Sequence, residues 1–256
     1  MDRLQRLGRI LEELQKNNSL QVEDVETLLS ISPATVRRDF NYLAQNYQVE
    51  KIWGGIALSP NRKIADTMLP LDERKLKYNK EKAAIAKRAA ELVNDGEIIF
   101  IDGGTTTLEM VPFLKNKKVR IITNSILIAQ RIETLDGNPH TEVFVTGGML
   151  YPSSGLLVGP QAVDFIKNFN ANWTFLSIGG ISEAGPTNSN MLVVETEKAM
   201  LNHSERTVIL ADHSKIGKKD LIKICELEEI DFLITEDGKD IDLKSLEESG
   251  MKILKA

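Results

Sequence analysis

Six short apolar segments recur between residues 98 and 234, and stretches with helical spacing separate them. The segments are 98–101, 119–122, 143–145, 174–178, 208–210 and 232–234. Strands that are apolar nearly throughout occur in parallel sheets whose two faces are both covered by helices. The pattern therefore predicts an α/β domain with a mainly parallel sheet over residues 75–256. A helix at 80–93 precedes the first strand and is expected to bury Ala83, Ala84, Ile85, Ala89, Ala90 and Leu92.

The first 58 residues have a different pattern, in which helical spacing dominates. A leucine repeat predicts an amphipathic helix over residues 2–16, and its members are Leu4, Leu7, Leu11 and Leu14. A short extended segment at 20–22 leads into a second helix, whose core positions are expected to be Val25, Leu28 and Leu29. A third helix begins after a three-residue connection, which is the spacing of a helix-turn-helix at about 20–39.

The third helix has a well-defined start. Ser32 can cap its N-terminus, and Pro33 suits the first helical position, where its missing N–H would have no partner in any case. One face of the helical wheel is apolar and consists of Val36, Phe40, Leu43 and Tyr47. Arg37 and Arg38 lie near the start of the helix, so we expect it to be a recognition helix that enters the major groove of DNA.

Residues 49–58 alternate in polarity around Gly54 and Gly55, which indicates a two-stranded wing behind the helix-turn-helix. Residues 1–58 are therefore expected to form a winged helix-turn-helix domain. The next segment carries Pro60 and Pro70 without clear periodicity. Residues 59–74 are accordingly expected to link this domain to the α/β domain.

The composition is that of a soluble globular protein, with 42% hydrophobic and 27% charged residues. No apolar run approaches the roughly 20 residues of a membrane span, and the polar N-terminus is unlike a signal peptide, so a cytoplasmic protein without a membrane partner is expected. The single cysteine, Cys225, excludes an internal disulfide and is expected in the core. The net charge is −5, and residues 1–60 carry seven basic and eight acidic side chains. Binding to DNA would therefore depend on local clustering of charge.

Ligands of open α/β sheets bind beyond the carboxyl ends of the strands. The first strand is followed by Asp102-Gly103-Gly104-Thr105-Thr106-Thr107, where glycines, a helix start and hydroxyl groups favour an anion such as phosphate. Four further strand ends are polar or rich in glycine, namely Thr123-Asn124-Ser125, Thr146-Gly147-Gly148, Ser177-Ile178-Gly179-Gly180 and Asp212-His213-Ser214-Lys215. Any one of these ends could be a turn that binds nothing. Five of them on one edge, with the cation of Lys215, favour a phosphate site.

Other chemistry has little support. The threonine loop lacks the Gly-Lys-Ser/Thr of a Walker A loop and the third glycine of the dinucleotide fingerprint. The three histidines have no metal-ligand spacing, and no nucleophile-elbow serine occurs. We therefore expect no catalytic residue, no metal and no cofactor, and we interpret His213 as a loop residue rather than a ligand contact. Pro112 falls inside the helix expected after the threonine loop and should kink it or delay its start.

These motifs resemble the DeoR-type bacterial transcriptional regulators over essentially the whole chain. The resemblance rests on the order and spacing of Ser32-Pro33-Ala34-Thr35-Val36-Arg37-Arg38-Asp39-Phe40, Gly54-Gly55, the threonine loop, Thr123-Asn124-Ser125, Gly147-Gly148 and Asp212-His213-Ser214-Lys215. It implies a winged helix-turn-helix joined to a sensor domain that binds a phosphorylated sugar or related metabolite and then releases DNA. The expected function is that of a repressor of a sugar-metabolism operon.

The site residues fall into two groups. Those expected to contact a double-stranded DNA operator are Ser32, Pro33, Thr35, Arg37, Arg38, Lys51 and Gly54. Those expected to surround the phosphorylated effector are Asp102, Gly104, Thr105, Thr106, Thr107, Asn124, Ser125, Gly148, Glu197 and Lys215. Because one helix-turn-helix reads one half-site, at least a homodimer is expected.

The resemblance leaves two alternatives open. The sensor half of this family is similar in fold to ribose-5-phosphate isomerases and amino-sugar phosphate deaminases, so the chain could be such an enzyme with an appended DNA-binding module. Glu197 lies where the isomerases have a catalytic glutamate, although a solvated or effector-orienting helix face is the preferred interpretation of Glu195-Thr196-Glu197-Lys198. A dinucleotide-sensing regulator is the second alternative. The loop at 182–190 departs from the family pattern, which leaves the identity of the effector open.

Overall fold

A computed structural model describes residues 3–46, 49–58, 77–135, 141–152, 154–238, 241 and 243–256. The predicted linker at 59–74 and Tyr47 lie outside these residues. Within them, no helix is both long enough and apolar enough to cross a membrane.

The N-terminal part is a winged helix-turn-helix. Its elements are α1 (Arg3–Asn17), β1 (Ser19–Gln21), α2 (Val22–Leu29), α3 (Pro33–Asn46), β2 (Val49–Ile52) and β3 (Gly55–Leu58). β3 pairs antiparallel with both β1 and β2, so the extended segment predicted before α2 is the third strand of the wing sheet. The helices and the wing share a core that contains Leu7, Ile10, Leu14, Val25, Val36, Phe40, Leu43 and Ile56.

The connection between α2 and α3 is set locally. The Asp24 carboxylate accepts a hydrogen bond from the backbone N–H of Gln21 at 2.9 Å, and Ser30 ends α2 with a left-handed φ of 52°. The prediction that Leu28 belongs to the core was wrong, because this side chain is 43% exposed. Leu28 lies about 60° around the helix from Val25, on the side away from the buried Val22, and so falls outside the narrow buried stripe.

The larger part is built on a seven-stranded sheet in which every pair is parallel. In spatial order the strands are β15 (Ile253–Lys255), β14 (Phe232–Thr235), β12 (Thr207–Leu210), β9 (Trp173–Ser177), β4 (Ile98–Ile101), β5 (Arg120–Thr123) and β6 (Glu142–Val145). All six predicted strands are present, and the prediction of an α/β fold with a mainly parallel sheet is confirmed. β15 is an additional edge strand.

The helices of this part are α4 (Asn79–Glu91), α5 (Thr105–Leu108), α6 (Val111–Leu114), α7 (Ile126–Glu133), α8 (Pro160–Ile166), α9 (Met191–Asn202) and α10 (Lys244–Glu248). The helix expected after the threonine loop is divided into α5 and α6, with Pro112 in the first turn of α6. The predicted inward face of α4 was wrong in part. Ala83, Ala84 and Leu92 are half-buried, whereas the fully buried stripe includes Lys82 and Ala86, because it follows the helical period through Ile85.

Short antiparallel pieces lie beside the main sheet. β7 (Met149–Tyr151) pairs with β8 (Leu156–Val158), and β11 (Gly185–Asn188) pairs with both β10 (Gly180–Ser182) and β13 (Ile222–Lys223). The N-terminal part touches the larger part through α1 and α9. One hydrophobic cluster contains Leu7 of α1 together with Met191 and Val194 of α9.

Candidate functional site

The start of α3 has the geometry that its sequence predicts. The hydroxyl of Ser32 accepts a hydrogen bond from the backbone N–H of Thr35 at 3.3 Å and lies 3.0 Å from the Thr35 hydroxyl. The apolar face of α3 is buried, whereas Arg37 and Arg38 are exposed. The helix therefore offers two cations and a capped N-terminus to an anionic partner such as DNA.

A buried ion pair holds α3 against α1. Arg6 Nε donates to Asp39 Oδ2 at 2.5 Å and Arg6 Nη2 donates to Asp39 Oδ1 at 3.2 Å, while the Asp39 side chain is 1% exposed. The guanidinium carbon of Arg3 lies 4.4 Å from the centroid of the Tyr42 ring. Bidentate pairing fixes orientation as well as distance. The sequence does not reveal this pair, because its members are 33 residues apart on different helices.

The turn of the wing is fixed to the start of α2. β2 and β3 are joined by Trp53 and Gly54, and Gly54 has a φ of 73°. The Gly54 carbonyl accepts a hydrogen bond from the N–H of Val22 at 3.0 Å, and a Cβ on Gly54 would lie 2.6 Å from the end of the Gln21 side chain. Gly54 thus sets the turn conformation, and the exposed Lys51 supplies the positive charge of the wing, next to the exposed Glu50.

A cavity of about 410 Å³, including the part open to solvent, lies at the carboxyl ends of β4, β9 and β12. Of the predicted effector residues, it brings together Thr105, Thr106 and Lys215. Ser177 is the last residue of β9 and Ser214 follows β12, and both also line the cavity. Three of the five polar strand ends therefore meet at one place.

The start of α4 closes the cavity with residues that the sequence patterns do not single out. Lys77, Tyr78 and Lys82 line it together with Lys215. Lys82 is 4% exposed, and its Nζ donates to the carbonyl of Lys77 at 2.8 Å. The sequence does contain a pattern that could have identified Lys82. This lysine falls three residues before Ile85, on the buried stripe of the helix, where lysine is rare.

Asp102 forms a buried network at the end of β4. It is 1% exposed, and Asn124 Nδ2 donates to its Oδ1 at 2.9 Å while the Asn124 Oδ1 accepts from the N–H of Gly103 at 2.9 Å. Burial raises the pKa of Asp102 to about 7, and hydrogen bonds from Asn124 and from the backbone N–H groups of Gly103 and Ser177 offset only part of this rise. Its Oδ2 has no hydrogen-bond partner among the residues that the structure describes.

Glu197 on α9 is a second fully buried carboxyl group. Asn188 Nδ2 donates to its Oε1 at 2.6 Å, and Oε2 has no hydrogen-bond partner in the described ranges. Burial, and then the negative charge of Asp102, raise the pKa of Glu197 well above its usual range. The interpretation of this segment as a solvated face was wrong for Glu197, since that side of α9 is enclosed. It fits Glu195 and Lys198, which are half-exposed and pair at 3.6 Å.

The remaining predicted effector residues shape loops and do not line the cavity. A Cβ on Gly104 would lie 2.3 Å from the Cβ of Ser177, and the Thr107 hydroxyl donates to the Gly104 carbonyl at 3.1 Å. Ser125 caps α7 with its side chain, and Gly148 has a φ of 109° just before β7. Contact between these residues and an effector stays a prediction.

Two further side chains, His213 and Cys225, are held by contacts within the protein. Nδ1 of His213 pairs with Glu236, and the His213 ring contacts the Tyr78 ring edge-on at 4.5 Å between centroids. Cys225 is buried, and burial raises the pKa of its thiol to about 12. Among the residues that the structure describes, no group of three or more His, Cys, Asp or Glu side chains could hold a metal ion.

A winged helix-turn-helix joined to an α/β domain whose cavity is lined by three lysines and Asp212 defines the class of DNA-binding regulators that carry a second, sensor-type domain. The family model for the DeoR C terminal sensor domain matches residues 77–237, and the model for the DeoR-like helix-turn-helix domain matches residues 6–62. The chain belongs to the DeoR family of transcriptional regulators.

Individual relatives agree with this assignment. The HTH-type transcriptional regulator UlaR of Shigella dysenteriae serotype 1 is 32% identical over 258 residues, which cover 100% of both chains. The glycerol-3-phosphate regulon repressor of Escherichia coli strain K12 is 30% identical over 92% of both chains. Because these relatives are transcriptional regulators, the prediction that the chain is a DNA-binding regulator and not an enzyme is confirmed. Among solved structures, ribose 5-phosphate isomerase of Methanocaldococcus jannaschii is similar with a TM-score of 0.40, at 18% identity over 55% of both chains.

Proposed function

We propose that this chain represses a sugar-metabolism operon and releases its operator when a phosphorylated sugar or related metabolite occupies the cavity. The observation that carries the proposal is the presence of Lys77, Lys82 and Lys215 around one cavity, beside the hydroxyls of Thr105 and Thr106. Ammonium groups and hydroxyls suit a phosphate, which is anionic and accepts several hydrogen bonds. The relative named as a glycerol-3-phosphate regulon repressor supports an effector of this class.

The other predicted effector residues have a supporting part in this proposal. Burial raises the pKa values of Asp102 and Glu197, and neither carboxyl group lines the cavity, so their part in the proposal is electrostatic and not a direct contact with the ligand. Asn124 orients Asp102 through its side-chain amide. The loop residues Gly104, Thr107, Ser125 and Gly148 keep the strand ends in place.

A thermal-shift screen of the full chain tests the class of effector. The probes are glycerol 3-phosphate, ribose 5-phosphate, inorganic phosphate, glycerol, ribose and nicotinamide adenine dinucleotide. At least one phosphorylated probe should raise the melting temperature, because a ligand that binds only the folded state stabilises it, and the free polyols should not. Equal shifts with phosphorylated and free compounds would refute the phosphate site, and a shift with the dinucleotide alone would favour the dinucleotide-sensing alternative.

A pair of lysine variants locates the binding site. Lys215→Ala should abolish the phosphate-dependent shift. Lys219→Ala is the matched control, since Lys219 is a half-exposed lysine that pairs with Glu183 at 3.3 Å and does not line the cavity. Loss of the shift in both variants, or in neither, would show that the cavity is not the site.

We propose that α3 enters the major groove, where Arg37 and Arg38 contact guanine or phosphate. The helix start that approaches the DNA backbone consists of Ser32, Pro33 and Thr35. The wing residues Lys51 and Gly54 lie against the DNA strand that flanks the half-site.

The two roles of an arginine can be separated with a duplex selected by the wild-type chain from a random library and with a scrambled duplex. A guanine contact discriminates by about 1–3 kcal/mol, whereas loss of a phosphate contact weakens both duplexes alike and lowers the salt slope by about one. Arg88→Ala is the control, because Arg88 pairs with Glu91 on α4. Unchanged binding by both Arg37→Ala and Arg38→Ala would exclude α3 as the reading helix.

We further propose that the chain acts in the cytoplasm as at least a homodimer. One helix-turn-helix reads one half-site, so a dimer should protect two half-sites whose centres are about 34–36 Å apart or a multiple of that distance. Light scattering of the chain alone and footprinting on the selected duplex measure this. A monomer that protects a single half-site would contradict it.

A further inference from the structure

The tip of the wing carries an indole ring that is almost completely exposed. Trp53 is 98% exposed, whereas the next most exposed large hydrophobic side chain in the described part of the chain, Leu150, is 46% exposed. Tryptophan is highly buried on average, as Trp173 is at 3%. The exposure of Trp53 therefore sets it apart from every other large apolar side chain described.

The backbone beneath Trp53 is held firmly. The side-chain amide of Gln21 is placed to donate to the carbonyl oxygens of Trp53 at 3.1 Å and of Gly54 at 3.2 Å. The N–H of Val22 donates to the same Gly54 carbonyl, and Gly55 pairs with Gln21 across β1 and β3. Because the turn is anchored to the start of α2, the backbone that carries the indole is held in place while the ring itself lies in solvent.

The neighbours of Trp53 match the backbone of a DNA strand. Lys51 is exposed on β2, and Ile52 next to the turn is 39% exposed. Lys51 and Trp53 lie two residues apart, on the same side of an extended chain, so a cation and a ring can meet a phosphate and the neighbouring deoxyribose; the exposed Glu50 is one residue further along β2. β2 and β3 both pack against α3, so the wing is continuous with the helix that reads DNA.

We propose that Trp53 is a DNA contact, in which the indole packs against a deoxyribose of the strand flanking the half-site and its Nε1–H donates to a phosphate. The inference rests on the proposed docking of α3 in the major groove. A contact of this kind reads no base, so it strengthens binding to every sequence alike. Its main part is apolar, so it differs from Lys51, whose ammonium group contributes to the salt dependence.

Fluorescence anisotropy of the full chain with labelled selected and scrambled duplexes tests the proposal. Trp53→Ala should weaken binding to both duplexes by about tenfold with an unchanged salt slope, and Trp53→Phe should be intermediate because it keeps a ring and loses the N–H. Lys51→Ala should instead lower the salt slope by about one. Leu150→Ala, which removes an exposed apolar side chain outside the wing, is the matched control and should bind as the parent does.

Tryptophan emission is a second readout, since Trp53 and Trp173 are the two tryptophans of the chain. Saturating DNA should change the emission of the parent, and Trp53→Phe should remove that change. Unaltered affinity of Trp53→Ala, unaltered emission of the parent, or a loss of affinity confined to the selected duplex would each overturn the proposal. If Arg37→Ala binds weakly and Trp53→Ala binds normally, only the proposed role of Trp53 is refuted and the docking of α3 stands. If the parent chain binds no duplex, the proposed docking of α3 is refuted as well.

Discussion

Asp102 carries a carboxyl group that costs the folded protein stability at neutral pH, and its replacement by asparagine should make this cost measurable. The side chain is 1% exposed, and burial raises its pKa from 3.8 to about 7. A rise of about three pH units at about 1.4 kcal/mol per unit corresponds to about 4 kcal/mol. The ionised form is therefore less stable in the fold than in the unfolded chain by this order of magnitude.

The sign of the pH dependence follows from the raised pKa. Between about pH 4 and about pH 7 the folded chain holds the Asp102 proton more tightly than the unfolded chain, so the free energy of unfolding falls as the pH rises through this window. Above about pH 7 the carboxyl group is ionised in both states and the cost is complete. The raised pKa of Glu197 acts in the same direction.

Asp102→Asn removes the ionisation but keeps an oxygen that can accept the hydrogen bond from Asn124. The new amide NH₂ takes the place of Oδ2, which has no hydrogen-bond partner in the part of the chain that is described. Because the NH₂ group is then a buried donor without a partner, it offsets part of the stability gained by removing the charge. The variant should be more stable than the parent by about 2–4 kcal/mol at about pH 8, and the difference should shrink toward about pH 4.

Urea denaturation between about pH 5 and about pH 8, followed by Trp173 fluorescence and far-UV circular dichroism, measures this difference. Trp173 lies opposite Ile99 in the β4–β9 pair and so reports on the sheet that carries Asp102. Asp95→Asn, in an exposed loop where the carboxylate accepts the N–H of Lys118, should keep the parental pH profile. An Asp102→Asn variant with the parental pH profile would refute the raised pKa.

Three further substitutions test individual contacts. Glu197→Gln should also reduce the fall in stability with rising pH, and a steeper fall in the same urea series would contradict a raised pKa of Glu197. Arg6→Met leaves the Asp39 carboxylate buried without this partner and should lower the free energy of unfolding by about 3–5 kcal/mol in urea denaturation. Breaking the exposed Arg88–Glu91 pair on α4 should lower it by at most about 1 kcal/mol. An equally small loss for Arg6→Met would show that the Arg6–Asp39 pair is not needed for stability. Gly104→Ala places a methyl group 2.3 Å from the Ser177 side chain and should lower both the melting temperature and the phosphate-induced shift; a normal shift would show that the loop can adjust.

The sheet is predictable because each strand is decided by a short local pattern. The six apolar segments predict strands that the structure shows within one residue at each end. Residues buried on both faces must be apolar throughout, so their run stands out from the helical spacing around it. β15 lies at the edge of the sheet, is only half-buried, and ends in Lys255, so it has no such run.

The site is predictable only where the residues follow strands. Thr105, Thr106 and Lys215 come directly from the rule that strand ends meet at one edge. Lys82 reaches the same cavity from α4, which the sequence presents as an alanine-rich core helix, and Lys77 reaches it from the turn just before that helix. The helical period marks Lys82 as a lysine on a buried face, but the cavity that this face meets depends on how α4 packs over the sheet, which no local pattern contains.

The contact between α1 and α9 sets a physical requirement on any inducer. α9 carries the buried Glu197 and touches α1, and Arg6 of α1 holds Asp39 of α3. The lysine-lined cavity includes no residue of α9 among those described, so an effector that merely fills it does not touch this chain of contacts. A phosphate bound in the cavity would act at a distance instead, because its negative charge would favour the protonated forms of Asp102 and Glu197. Such a ligand would shift DNA affinity only by the difference in its affinity for the DNA-bound and the DNA-free conformations of the chain, and the usual coupling of about 1–3 kcal/mol corresponds to a change of about 5- to 150-fold.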